Sequence, residues 1–158
     1  MKEKFVNLYI DWATRLAELS YAKRLQVGAV IVKDDTVISY GYNGMPSGWD
    51  NNCENAIYCG PNDNSVDFEY RTEDGTAYNL KTRPEVLHAE SNAIAKLAKT
   101  GNSGAGADIF VTHSPCIECA KLIFQSGISN VYYRNSYRDD AGITFLEKSG
   151  INVTHVDK

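Results

Sequence analysis

The sequence predicts an α/β fold, a mixed sheet with helices on both faces. Two patterns carry this expectation. From His88 onward, helical periodicity alternates with short β-branched runs, which implies crossover connections and parallel pairing. Near the N-terminus two β-branched runs follow one another across a short polar connector, which adds an antiparallel edge.

Each element has its own signal. Phe5, Leu8, Tyr9, Trp12, Leu16 and Leu19 recur at three- and four-residue intervals, so the spacing predicts an amphipathic helix from Phe5 to Leu19. Gln26 to Val32 and Thr36 to Tyr42, separated by Lys33-Asp34-Asp35, read as a hairpin. Residues 44–87 show no sustained period and are studded with Gly, Asn, Asp, Pro and Ser, so they read as a long, ligand-facing loop insertion. His88 to Lys99 returns to helical character, with Gly101 placed to stop it. A strand from Asp108 to Thr112, a helix from Cys116 to Ser126 and a strand from Asn130 to Arg134 follow. A helix from Ala141 to Ser149 and a strand from Ile151 to Val156 complete the chain.

The 158 residues suit a single domain, 1–158, and the composition, 43% hydrophobic and 23% charged, is that of a folded globular chain. The net charge of −4 disfavours stable binding to nucleic acid, while leaving room for a local basic pocket. No apolar run approaches the roughly 18 residues that cross a bilayer, and Asp11, Arg15 and Glu18 interrupt any secretory core. The expectation is a cytoplasmic protein without membrane contact, in which Cys53, Cys59, Cys116 and Cys119 serve a metal or catalysis rather than disulfides.

Two segments carry the chemistry, His88-Ala89-Glu90 and Pro115-Cys116-Ile117-Glu118-Cys119. Each falls at a predicted helix start, where the dipole and free N–H groups favour thiolate over thiol. One imidazole and two thiolates make a three-ligand set for Zn²⁺, leaving the fourth tetrahedral position to water, as catalytic sites do. Glu90, two residues after His88, is placed to carry protons beside the metal. H-x-E followed by P-C-x-x-C is the pattern of zinc deaminases acting on nucleobases. Cys53 and Cys59, with five residues between them, are spaced too loosely for a usual zinc knuckle and read as free thiols, and His155 reads as an edge residue.

The chain resembles the cytidine/deoxycytidylate deaminase superfamily, and its deoxycytidylate branch most closely. The resemblance rests on Val27 to Val32, on Gly41-Tyr42-Asn43-Gly44-Met45-Pro46-Ser47-Gly48, on His88 to Ile94, and on Ser114 to Lys121. The zinc motifs fix the reaction type; Gly-Tyr-Asn-Gly narrows the substrate. The resemblance implies a three-layer α/β/α cytidine-deaminase-like fold with a mixed five-stranded sheet. It also implies zinc-dependent conversion of dCMP to dUMP and ammonia, supplying dUMP for thymidylate synthesis, with Glu90 catalytic and His88, Cys116 and Cys119 on the metal. Asn43, Ala89, Ser114, Tyr137 and Arg138 are implied at the substrate, the Ser114 carbonyl accepting from the exocyclic amine. Gly41, Tyr42, Asn43 and Gly44 are implied at a dCTP activator site, with dTTP as inhibitor and a hexamer as the assembly. Read from the residues alone, Gly41 and Gly44 equally suit a strand exit needing special backbone angles. One departure stands out: where relatives carry Ser-Lys-Asp-Pro, this chain reads Ser20-Tyr21-Ala22-Lys23-Arg24, which either offers Lys23 or Arg24 as a phosphate contact or only alters how the helix ends.

Two other functions compete: a deaminase acting on a tRNA loop, and a catalytically silent module that senses nucleotides. The net charge argues against the first and Glu90 against the second.

Overall fold

The computed structural model describes residues 1–158. Its elements are α1 (Glu3–Ala17), β1 (Gly28–Lys33), β2 (Thr36–Tyr42), β3 (Glu54–Tyr58), β4 (Tyr70–Arg71), β5 (Ala77–Thr82), α2 (Ala89–Thr100), β6 (Asp108–His113), α3 (Ile117–Gln125), β7 (Asn130–Asn135), α4 (Ala141–Lys148) and β8 (Asn152–His155).

Five strands form the main sheet in the order β2-β1-β6-β7-β8. β1 is antiparallel to both β2 and β6, while β6, β7 and β8 run parallel, so the sheet is mixed as predicted. Asp34 and Asp35 close the β1–β2 hairpin with φ of 49° and 59°, the left-handed pair a two-residue turn requires. β1 and β6, buried on both faces, explain why their sequences are continuous apolar runs rather than alternating ones.

α1 covers one face through Val6, Tyr9, Ile10 and Ala13, packed on Val30, Val32 and Phe110. The other face carries α2, α3 and α4, whose Ala89, Ala93, Leu97, Ala120, Ile123 and Leu146 pack on Ile31, Ile109, Val111 and Val131. Three layers result.

The buried stripe of α1 differs from the expected one. Val6, Tyr9, Ile10, Ala13 and Ala17 face inward, whereas Phe5, Leu8 and Trp12 are exposed and Leu19 lies beyond the helix. The reason is a backbone contact. A Cβ on Gly28 would lie 2.8 Å from the amide nitrogen of Ala17 and 3.0 Å from the carbonyl carbon of Ala13. Only small residues fit where the helix rides that closely on β1, so Ala13 and Ala17 sit at the contact and Val6, Tyr9 and Ile10 fill the space beside it.

The insertion is not a structureless loop. β3, β5 and β4 form a second, antiparallel sheet, with Glu54 opposite Thr82 at its base and Tyr58 and Tyr70 both opposite Tyr78. Its strands are mostly exposed, so no apolar alternation marks them in the sequence. Arg83 clamps the base, donating to Asp50 Oδ1 at 3.0 Å and to the Asn52 carbonyl at 3.0 Å.

Candidate active site

The three residues expected to ligate a metal meet at two helix starts. His88 is the N-cap residue of α2 and Cys116 that of α3, with Cys119 in the first turn of α3. His88 Nδ1 lies 3.6 Å from Cys116 Sγ and 3.3 Å from Cys119 Sγ, and all three donor atoms lie within 4.8 Å of one another. A tetrahedral zinc with Zn–S of about 2.3 Å and Zn–N of about 2.0 to 2.1 Å has S···N edges of about 3.6 Å. The donor set therefore fits zinc in both chemistry and spacing.

The electrostatics point the same way. Cys119 hydrogen-bonds Cys116 and pulls its thiol down to about 4, with His88 adding to the effect, while the same bond and burial push the Cys119 thiol up. The two thiols thus share one proton as a pair, and a bound cation favours the loss of both. Contact with Cys116 raises the His88 imidazole above its ordinary value against the opposing effect of burial.

Glu90, in the first turn of α2, is only 4% exposed. Burial raises its carboxyl above the ordinary value, against opposing effects from its own backbone N–H and from His88. Glu90 lines the same cleft as His88 and Cys116, a cavity of about 560 Å³, of the size that holds a mononucleotide-scale ligand.

The cleft also gathers Asn43, Ala89, Ser114, Tyr137 and Arg138, the five residues expected at the substrate. Ser114 is buried; its Oγ accepts from the Tyr137 N–H at 2.7 Å, and its carbonyl takes no donor from the protein. Asn43 is committed to the backbone, its Oδ1 accepting from Val27 N–H at 2.9 Å and its Nδ2 donating to the Leu25 carbonyl at 2.8 Å. Gly41, Tyr42 and Gly44 do not line the cleft. Gly41 and Gly44 do not have positive φ either. Gly41 is a packing glycine, since a Cβ there would lie 2.8 Å from Ala93 N of α2, and Gly44 bridges to Leu87.

Of the two cations offered by the departure after α1, Arg24 lines the cleft and Lys23 does not. Neither Arg24 nor Arg138 has a carboxylate partner; Arg24 Nη1 donates to Thr82 Oγ1 at 3.2 Å, and the other donors of the two guanidinium groups remain to meet an anion. Sequence reasoning missed Glu54, Glu69 and Tyr70, which the insertion brings to the cleft. His113 also lines it, with burial lowering its imidazole. Cys53 and Cys59 join no metal-compatible group, and His155 sits on the edge strand β8.

The sequence profile of the cytidine and deoxycytidylate deaminase zinc-binding region matches residues 3–135. The chain belongs to this family. It is 36% identical to the deoxycytidylate deaminase of Enterobacteria phage T4 over 154 residues, covering 84% of this chain and 80% of that protein. It is also 36% identical over 143 residues to ComE operon protein 2 of Bacillus subtilis, covering 90% of this chain and 66% of that one. The dCMP deaminase of cyanophage S-TIM5, solved in complex with dCMP and dUMP, superposes with a TM-score of 0.79 at 38% identity, covering 100% of this chain and 99% of that one. The cytidine-deaminase-like fold and the likeness to dCMP deaminases over the whole chain are thereby established. No helix is long and apolar enough to cross a membrane.

Proposed function

We propose that this protein is a zinc-dependent hydrolase that converts dCMP to dUMP and ammonia. The observation that carries the proposal is the shared cleft: a buried carboxyl, Glu90, stands beside a three-residue set of metal-compatible donors, and two guanidinium groups with no carboxylate partner, Arg24 and Arg138, line the same cavity. When bound by His88, Cys116 and Cys119, zinc supplies a water whose pKa falls from about 15.7 toward about 7, so that a nucleophile is available at neutral pH.

The remaining steps belong to side chains of the chain. Glu90 takes a proton from the attacking water and delivers it to N3 as the new C–O bond forms at C4. Glu90 then moves the second water proton to the amino nitrogen, the C4–N bond breaks, and ammonia leaves uracil with its C4 carbonyl. The Ser114 carbonyl, free of protein donors, accepts from the exocyclic amine and orients it. Ala89, at the start of α2, offers its backbone N–H to the base, and Tyr137 closes the cleft beside it. Arg24 and Arg138 hold the 5′-phosphate. Asn43 acts through the Leu25–Val27 backbone it braces rather than as a free hydrogen-bonding side chain.

Regulation by dCTP and dTTP through residues 41–44 and assembly into a hexamer belong to the same proposal, and the exposed Phe5, Leu8 and Trp12 of α1 offer apolar surface for a partner subunit. The four cysteines, all free, support a cytoplasmic location. The test is ammonia release from dCMP, CMP, deoxycytidine and a tRNA anticodon stem, each with and without dCTP. Turnover confined to dCMP is the expected result, and stimulation by dCTP would add the regulatory site. Zinc-loaded protein that turns over none of them would overturn the assignment and favour a nucleotide sensor.

A further inference from the structure

Glu54 opens β3 at the base of the insertion and is only 4% exposed. Its Oε1 accepts from the backbone N–H of Lys23 at 2.8 Å and of Arg24 at 3.2 Å, which fixes the chain that brings Arg24 into the cleft. Its other oxygen, Oε2, is buried with no hydrogen-bond partner, and no lysine, arginine or histidine forms an ion pair with Glu54. A carboxylate oxygen left this way is costly to the fold. Bracing two amides needs one oxygen, which a glutamine supplies without burying a charge. Glu54 lines the cleft, so the donor that would satisfy Oε2 has a route to it from a ligand.

The chemistry of the nucleotide narrows that donor. A 2′-deoxycytidine 5′-phosphate presents two neutral donors, the exocyclic amine and the 3′-hydroxyl. The amine belongs to the metal end of the cleft, with Ser114 and Glu90. Asn43, the polar side chain expected at the substrate from the sequence, has both ends of its amide engaged by the backbone. We propose that Glu54 Oε2 accepts a hydrogen bond from the sugar 3′-hydroxyl, which makes Glu54 a specificity-determining residue; this rests on the deoxycytidylate reading above. The same carboxylate has a second consequence. A 3′-phosphate brings an anion against it, so the cleft admits free mononucleotides and rejects a cytidine whose 3′-oxygen is esterified within a strand.

The test compares kcat/KM for dCMP, its 3′-deoxy analogue and deoxycytidine 3′,5′-bisphosphate on the zinc-loaded wild type and on Glu54→Gln. In the wild type, removal of the 3′-hydroxyl lowers kcat/KM by about 10- to 100-fold, the range for a hydrogen bond to a charged group. In Glu54→Gln that discrimination shrinks to a few-fold, and the bisphosphate improves relative to dCMP. Each readout is a ratio of nucleotides on one protein, so a lower folded fraction cancels, and the 3′-deoxy comparison stands on the wild type alone. Equal use of dCMP and its 3′-deoxy analogue by the wild type overturns the proposal, as does unchanged discrimination in the variant. A wild type active on deoxycytidine or CMP but not on dCMP overturns the substrate reading itself, which is a different result.

Discussion

Gly142→Ala probes how Cys116, a proposed metal ligand, is held, from a position outside the cleft. Gly142 is buried in the first turn of α4, where a Cβ would lie 2.9 Å from the carbonyl carbons of Pro115 and Cys116 and closer still to the Pro115 oxygen. Carbon contacts settle at about 3.5 to 4.0 Å. Either α4 or the Pro115-Cys116 segment must therefore move by about 0.6 Å to relieve the carbons, and by about 1 Å to clear the oxygen. Zinc sites tolerate ligand displacements of only about 0.2 Å. Overpacking of this kind costs about 1 to 3 kcal/mol, against which alanine recovers up to about 1 kcal/mol of helix propensity. The clash wins because the obstructing atoms are backbone and cannot rotate away. The expected net loss is about 1 to 2 kcal/mol, a fall in Tm of about 2 to 8 °C for a chain of this size. Melting with and without chelator, together with a zinc competition titration, reads both effects. A zinc affinity weakened by about tenfold or more is expected. Gly44→Ala is the control, since a Cβ there meets nothing within 4 Å. An unchanged zinc affinity with a raised Tm in Gly142→Ala would refute the reasoning, because propensity alone would then have decided the outcome.

Glu90→Gln should keep its zinc while losing about 10²- to 10⁴-fold in turnover, the usual worth of a general acid/base, as measured by metal content beside ammonia release. With zinc stripped by chelator, the same variant should melt above the wild type at neutral pH. The folded-state pKa of Glu90 is raised from 4.5, so the stability it contributes is complete below the unfolded value and is lost as pH rises through the folded value, a loss glutamine does not suffer. The gap between the two melting curves should close as pH falls toward 4.5; a gap constant with pH would contradict this. Arg24→Ala and Arg138→Ala should each weaken the binding of dCMP by about 10- to 100-fold, read by calorimetric titration of zinc-loaded protein, and leave the binding of deoxycytidine unchanged; equal losses on both would remove the phosphate contact.

The parts of the fold legible in the sequence were those set by short-range pattern. The β1–β2 hairpin follows from two β-branched runs and a turn, and the end of α2 from Gly101, whose φ is 72°. The juxtaposition of His88, Cys116 and Cys119 in a metal-compatible cluster was equally legible, because His88 and Cys116 each mark a helix start and Cys119 follows one turn later. The inward face of α1 was not, because it is chosen by Gly28 on another element rather than by the periodicity of the helix itself. The insertion sheet was not legible because β3 is exposed beyond Glu54 and neither β3 nor β5 alternates buried with exposed positions. Arg24 and Glu54 meet at the cleft only through pairing between segments 30 residues apart, which no local pattern records.

The closed base of the insertion bears on how this enzyme can diversify. β3 and β5 leave the core side by side, with Glu54 paired to Thr82 and Arg83 N–H bonded to the Cys53 carbonyl at 2.8 Å, so the excursion returns to the place where it began. Lengthening such an excursion costs only about 0.6 kcal/mol per doubling, since the ends are already joined. Its tip can therefore gain or lose residues without disturbing either helix start of the metal-compatible cluster. On the proposed reading, the residues of the chemistry lie within 88–119, while the excursion from 54 to 82 is a separate stretch that can retune part of the selectivity without touching them.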